Sequence, residues 1–158
     1  MFIARLDRKR TPTMTNSNAL KPATSRRILR RVGAVLAGMI LIIILDIGLD
    51  IIMHATGIYP PWFQPMATGL WLLALSYRTI DSILGCYVTA RLAPDRPLTH
   101  ALVLGSLGVI LSAIGAIATW GKGLEFGPKW YPLALVLIAL PCAWVGGTIR
   151  QRQLQRQA

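Results

Sequence analysis

The sequence predicts an all-α integral membrane protein, a bundle of four transmembrane helices behind a disordered basic N-terminal arm. Three observations predict it. Of the 158 residues, 54% are hydrophobic. The apolar residues gather in four uninterrupted blocks, each about one bilayer crossing long, whereas a transmembrane β-barrel would show alternating segments of roughly ten residues. Of the 17 Lys and Arg residues all but Arg78 are sorted by connection: nine precede residue 32, Arg91 and Arg96 flank the second connection, Arg150, Arg152 and Arg156 lie in the tail, and only Lys122 and Lys129 fall in the third.

Residues 1–31 are rich in Arg, Thr, Asn and Pro and lack an apolar period, so they read as a disordered cytoplasmic arm. Beside a bilayer such an arm meets anionic lipid at about 1 kcal/mol per basic residue, and nucleic acid is not an expected partner. Met14 is a second candidate start, which would remove residues 1–13. Ser25-Arg26-Arg27 before an apolar run has the look of a twin-arginine export signal. The run that follows is long enough to span, carries two aspartates and precedes three more spans, so the arginines are read as holding the N-terminus inside.

The transmembrane domain covers residues 32–149, with spans at about 32–53, 68–92, 101–120 and 131–149, and residues 150–158 form a short cytoplasmic tail. By the positive-inside rule both termini and the second connection are cytoplasmic, with 14 basic residues inside against two outside. Tyr59, Trp62, Phe63, Trp71, Trp120, Phe126, Trp130 and Tyr131 gather at the other helix ends, where amphipathic rings anchor at headgroup level. The proline-rich connections around Pro60-Pro61 and Pro128 read as stiff caps.

The candidate site is the set of charges inside the spans. Asp46 and Asp50 lie in the first, Arg78 and Asp81 in the second, and a charge at bilayer depth costs several kcal/mol unless it is paired or faces a wet cavity. Asp46, Asp50 and His54 follow at i, i+4 and i+8, which puts them on one helix face. Ala74, Arg78, Asp81, Ser82, Gly85 and Thr89 form a small or polar stripe on the next helix. Counting 1.5 Å per residue from the outer ends puts Asp46 about 12 Å deep and Arg78 about 15 Å deep, which makes Asp46 the expected partner of Arg78 and leaves Asp50 nearer His54 and water.

Pairing alone would make this cluster a device for helix register. Three aspartates share one arginine, however, and a carboxylate without a full cationic partner keeps a proton or binds a cation. Asp46, Asp50 and His54 are therefore a candidate proton or cation site, and Asp50 with His54 a sparse candidate metal pair. No metal or cofactor is expected. Cys86 and Cys142 fall inside spans without a CxxC motif, two histidines are too few for haem ligation across several helices, and no nucleophile motif or phosphate loop argues for an enzyme.

In the third span Ala101, Gly105, Gly108, Ser112, Gly115 and Thr119 recur every three or four residues, a smooth face for close helix packing within the chain or in a homo- or hetero-oligomer. Pro141 inside the fourth span removes a backbone donor and frees the carbonyl of Leu137, so a kink is expected there. The two hairpins share a Pro-Trp connection, but the charges of the first pair have no counterpart in the second, so no repeat is read.

Three segments, HATGIYPPWFQPM, the stretch from LALSYR to GCYVTARLAPDRPLTHAL, and GPKWYPLALVLIALPCAWVGG, resemble a group of small uncharacterised bacterial inner-membrane proteins. The resemblance covers residues 30–149 and implies a four-helix inner-membrane protein; it carries no activity or cofactor. Two functions are expected on these grounds. The first is a structural, interaction or accessory membrane subunit; the alternative is a small proton- or cation-coupled transporter using Asp46, Asp50 and Asp81. The strong charge bias argues against the dual insertion found in some small multidrug transporters.

Overall fold

A computed structural model describes residues 21–123 and 126–157, with side chains from Arg26 onward. The chain is all-α, with four helices in the order α1 (Lys21–Ala55), α2 (Thr68–Leu92), α3 (Pro97–Thr119) and α4 (Trp130–Gln155). Their limits follow from local chemistry. Gly57 takes a left-handed φ of 75° just past α1, and the Tyr59 amide donates to the Met53 carbonyl at 2.9 Å, closing the last turn. Pro94 stops α2, because the residue before a proline leaves the helical region. Pro97 opens α3 at a first-turn position, where a missing N–H costs nothing.

Three boundaries differ from the sequence expectation. Residues 21–31 are helical rather than part of a disordered arm, α3 begins at Pro97 rather than 101, and α4 runs on to Gln155 through the expected tail. Apolar continuity marks only the part of a helix that meets hydrocarbon; Arg and Gln are good helix formers and extend α1 and α4 into water, while Pro97 at a first-turn position sets the earlier start of α3. The expectation for residues 1–20 lies outside the described residues. α4 continues as a helix through Pro141.

Contacts at the helix ends give an up-down-up-down order. Arg31 near the start of α1 reaches Asp95, just past α2, while Tyr59, just past α1, donates to the Leu70 carbonyl at the start of α2. Trp71 and Tyr131 pack at the starts of α2 and α4, and Gly147 late in α4 packs on Leu98 and Ala101 early in α3. One end of the bundle is therefore basic and the other aromatic. α2 is central, packed against all three other helices, whereas α1 touches α3 only sparingly.

The residue sizes are inverted relative to a water-soluble core. Ala34, Ala74, Cys86, Ala90, Ala101, Ala116 and Ala143 are buried, while Ile40, Ile44, Ile51, Leu111, Ile117 and Leu137 face outward. Small residues inside let backbones approach closely, and large aliphatic residues outside suit a hydrocarbon solvent. In water such a surface would be an aggregation hazard, since each square ångström of exposed apolar area forgoes about 25 cal/mol. α1 from Arg26, α3 and α4 are long and apolar enough to cross a membrane. The chain is thus a candidate multi-pass membrane protein. α2 has the length, but Arg78 and Asp81 lower its apolar content, and it compensates by burying its polar stripe: Ala74, Tyr77, Asp81, Gly85 and Thr89 face inward.

The helix crossings depend on missing side chains. A Cβ on Gly38 of α1 would collide with Thr89 Oγ1 and come within 2.5 Å of the Gly85 carbonyl oxygen of α2. One on Gly146 of α4 would sit 2.6 Å from the Ile83 carbonyl oxygen and 2.8 Å from the Tyr87 amide nitrogen, both backbone atoms that cannot step aside. The expected glycine face of α3 is only partly used. Gly105 packs tightly on Ala143 and Gly108 lies within ordinary contact of Ala139, but Ser112 lines a cavity and Gly115 is exposed with open space around it. Gly115 is therefore not a packing residue within this chain, although its neighbour Ala116 is buried.

Candidate functional site

Asp46 and Asp50 lie one turn apart on α1 and face Tyr77, Arg78 and Asp81 of α2. The close approach at Gly38 and Gly85 brings the two helices near enough for short carboxylates to be reached. Arg78 Nη2 donates to Asp50 Oδ2 at 2.6 Å, and the Tyr77 hydroxyl donates to Asp50 Oδ1. Arg78 Nη1 stands 3.7 Å from Asp46 Oδ2. The close partner of Arg78 is thus Asp50, not Asp46 as the depth count suggested. That count placed Cα atoms, and a guanidinium on a long stem can meet a carboxylate a full turn away. Tyr77, absent from the sequence reading, also draws Asp50 toward α2. Its signal was available, because Tyr77 shares the inward stripe with Ala74 and Asp81.

With Asp50 doubly satisfied, the shortfall moves to the other acids. Asp81 is 4% exposed and its Oδ2 has no donor; the Oδ1 of Asp46 is likewise buried without one. The carboxyl groups of Asp46 and Asp81 are near enough to interact with each other and with Arg78. Two facing carboxyl groups can form a hydrogen bond only when one of them carries a proton, because an ionised carboxylate is an acceptor alone. The Nε of Arg78 is also without an acceptor.

His54 does not join the cluster. Its Nδ1 lies 2.8 Å from the backbone carbonyl oxygen of Asp50, and its ring stacks on Trp62 at 3.6 Å. The candidate metal pair of Asp50 and His54 therefore does not form: the carboxylate turns to α2 while the imidazole turns to the aromatic end. Among the described residues no three His, Cys, Asp or Glu side chains are grouped as metal ligands. Cys86 and Cys142 are buried free thiols.

Two cavities meet at Arg78. One, of about 210 Å³, opens at the aromatic end and is lined by Asp50, His54, Tyr59, Trp62, Trp71 and Tyr131. The other, of about 230 Å³, lies between α1 and α3 over a floor of α2 and α4, with Asp46 and Ser82 among its lining residues. Arg78 borders both, Asp50 belongs to the first and Asp46 to the second. The rings expected merely to anchor at an interface are divided: Trp62 and Phe63 are exposed, whereas Tyr59 and Tyr131 are buried and build the first cavity. Burial pushes the Tyr59 hydroxyl above the usual phenol range, so it stays a hydrogen-bond donor.

A further ion pair lies at the basic end, where Arg31 Nη2 meets Asp95 Oδ2 at 2.5 Å and Arg31 Nε donates to Oδ1 at 3.2 Å. This bidentate clasp holds the Asp95 carboxyl below the usual carboxylate range. It ties α1 to the connection between α2 and α3. No family model matches the sequence, and no curated protein or solved structure is similar to it.

Proposed function

We propose that the chain is a four-span bacterial inner-membrane protein with both termini in the cytoplasm, and that it acts as a small proton- or cation-coupled transporter through Asp46, Asp81 and Arg78. One observation carries the reading. Two facing carboxyl groups, each with a buried oxygen that lacks a donor, sit beside an arginine that borders both a cavity at the aromatic end and a lateral cleft. A purely structural ion pair needs one acid per base. Asp50 and Tyr77 already supply that arrangement with Arg78, and the remaining acids are a cost that proton binding offsets. The reading includes no catalysis and no resident metal or cofactor.

Proton uptake into proteoliposomes tests it. Wild type should show flux that Asp46→Asn and Asp81→Asn each reduce by about a hundredfold or more, the size typical of losing a positioned proton-transfer group. Wild-type flux no greater than in empty liposomes would overturn the reading.

A structural or accessory role is the second reading, and a separate observation favours it. Gly115 on the outer half of α3 has open space around it, leaving a small-residue position for another helix, either of a second copy or of a different protein. The basic end, together with the arm, fits anionic lipid.

A further inference from the structure

The lateral cleft is more than a route for protons. Its walls are apolar, from Met39 and Ile42 of α1 to Leu104 and Ile138 of α3 and α4. Its rim residues Ile43, Leu107 and Leu111 are exposed at 47%, 38% and 58%, so it opens sideways, toward hydrocarbon in a membrane. Asp46 lines it beside Arg78, and the buried Oδ1 of Asp46 has no donor; Asp81, outside the lining and 4% exposed, has an Oδ2 that also has none.

An apolar cleft lined by an acceptor atom that lacks a donor is complementary to a molecule with an apolar body and an N–H-bearing cationic head. A lipid acyl chain would match the walls but bring no donor. An anion would find Arg78 already engaged by Asp50 and Asp46 and would lie against the Asp46 carboxyl. We infer that the cleft binds an apolar primary amine in its ammonium form, entering from the bilayer and donating to Asp46 in place of the proton shared with Asp81. This rests on the proton reading and names its substrate class.

The exchange is balanced in charge, one ammonium in and one proton out. The groups that face Asp46 are Asp50 on its own helix and Arg78 and Asp81 on α2; α3 offers the hydroxyl of Ser112, and α4 lines the cleft with uncharged Leu135, Ile138 and Ala139 and places Tyr131 further out, near Arg78.

Titration of 2-phenylethylamine into the full chain in lipid nanodiscs, referenced to empty nanodiscs, tests this, with the neutral isostere 2-phenylethanol alongside. Wild type should bind the amine saturably and release about one proton per amine bound, as linkage requires when two cations compete for one acceptor. Asp46→Asn should weaken binding by about tenfold or more, the worth of a charge-assisted hydrogen bond. Ser112→Leu, which fills the cleft and leaves the charged residues in place, should do the same, and it keeps the test decisive if Asp46→Asn fails to fold. Equal binding of amine and alcohol would overturn the inference in favour of an ordinary lipid groove, as would amine binding undiminished in Ser112→Leu. Proton flux without saturable amine binding overturns the inference alone, whereas amine binding without proton release overturns the proton reading and the exchange together.

Discussion

Arg78 holds the site together, and its neighbours differ in what they gain from it. Asp50 accepts from both Arg78 and Tyr77, so Arg78→Ala would strand a half-buried carboxylate and should lower stability by up to about 3 kcal/mol, the lower end of the cost of breaking a fully buried pair from one side. A double-mutant cycle should give a larger coupling for Asp50→Asn with Arg78→Gln than for Asp46→Asn with Arg78→Gln, because the contacts are 2.6 Å and 3.7 Å. Chemical denaturation in detergent reads both; the reverse order would mean that Asp46 is the true partner. At the basic end the clasp of Arg31 and Asp95 behaves differently. Its carboxyl is held low in the folded chain, so its contribution is present above the ordinary carboxylate range and fades as pH falls through the lower folded value. Asp95→Asn should therefore remove only acid-side pH dependence of stability and leave the neutral-to-alkaline profile flat, as pH-resolved thermal melts would show. The spacing of Asp46, Asp50, Arg78 and Asp81 was legible in the sequence. Which acid Arg78 chooses was not, since side-chain reach and a tyrosine donor decide it.

At the scale of helices, glycine determines how closely the elements approach. Gly146→Leu and Gly38→Leu should each destabilise the fold by several kcal/mol, because the added side chains meet backbone of α2, whereas Gly115→Leu should change little. Detergent melting temperatures of the three variants check this, and a large loss at Gly115 would point to an oligomer contact there. The regular small-residue spacing of α3 was visible beforehand, but periodicity gives a face and not a partner. Gly105 finds α4, Gly108 and Ser112 border a cleft, and Gly115 meets open space. Of the other tight crossings, Gly85 belongs to the small or polar stripe of α2 already visible in the sequence, whereas Gly38 of α1 and Gly146 of α4 were marked by no such stripe. Helix limits were legible to the extent that they coincide with apolar limits: α2 matches its block from 68 to 92, while α1 and α4 continue as Arg-rich helix past theirs.

Across the whole molecule, small residues inside and large aliphatic ones outside agree with the apolar blocks that first marked the chain as membranous, and the separation of a basic from an aromatic end agrees with the charge count. A reporter fused at the C-terminus should be active only in the cytoplasm; activity on the other side would overturn the proposed topology. The account as a whole depends on one proton. Infrared spectroscopy of the full chain in nanodiscs reads it directly, through the C=O stretch of a protonated carboxylic acid. Wild type should show that band at neutral pH, altered by Asp46→Asn and by Asp81→Asn and unchanged in frequency by Asp95→Asn; a spectrum with every carboxyl ionised would contradict a shared proton and leave the charged cluster a matter of helix register alone.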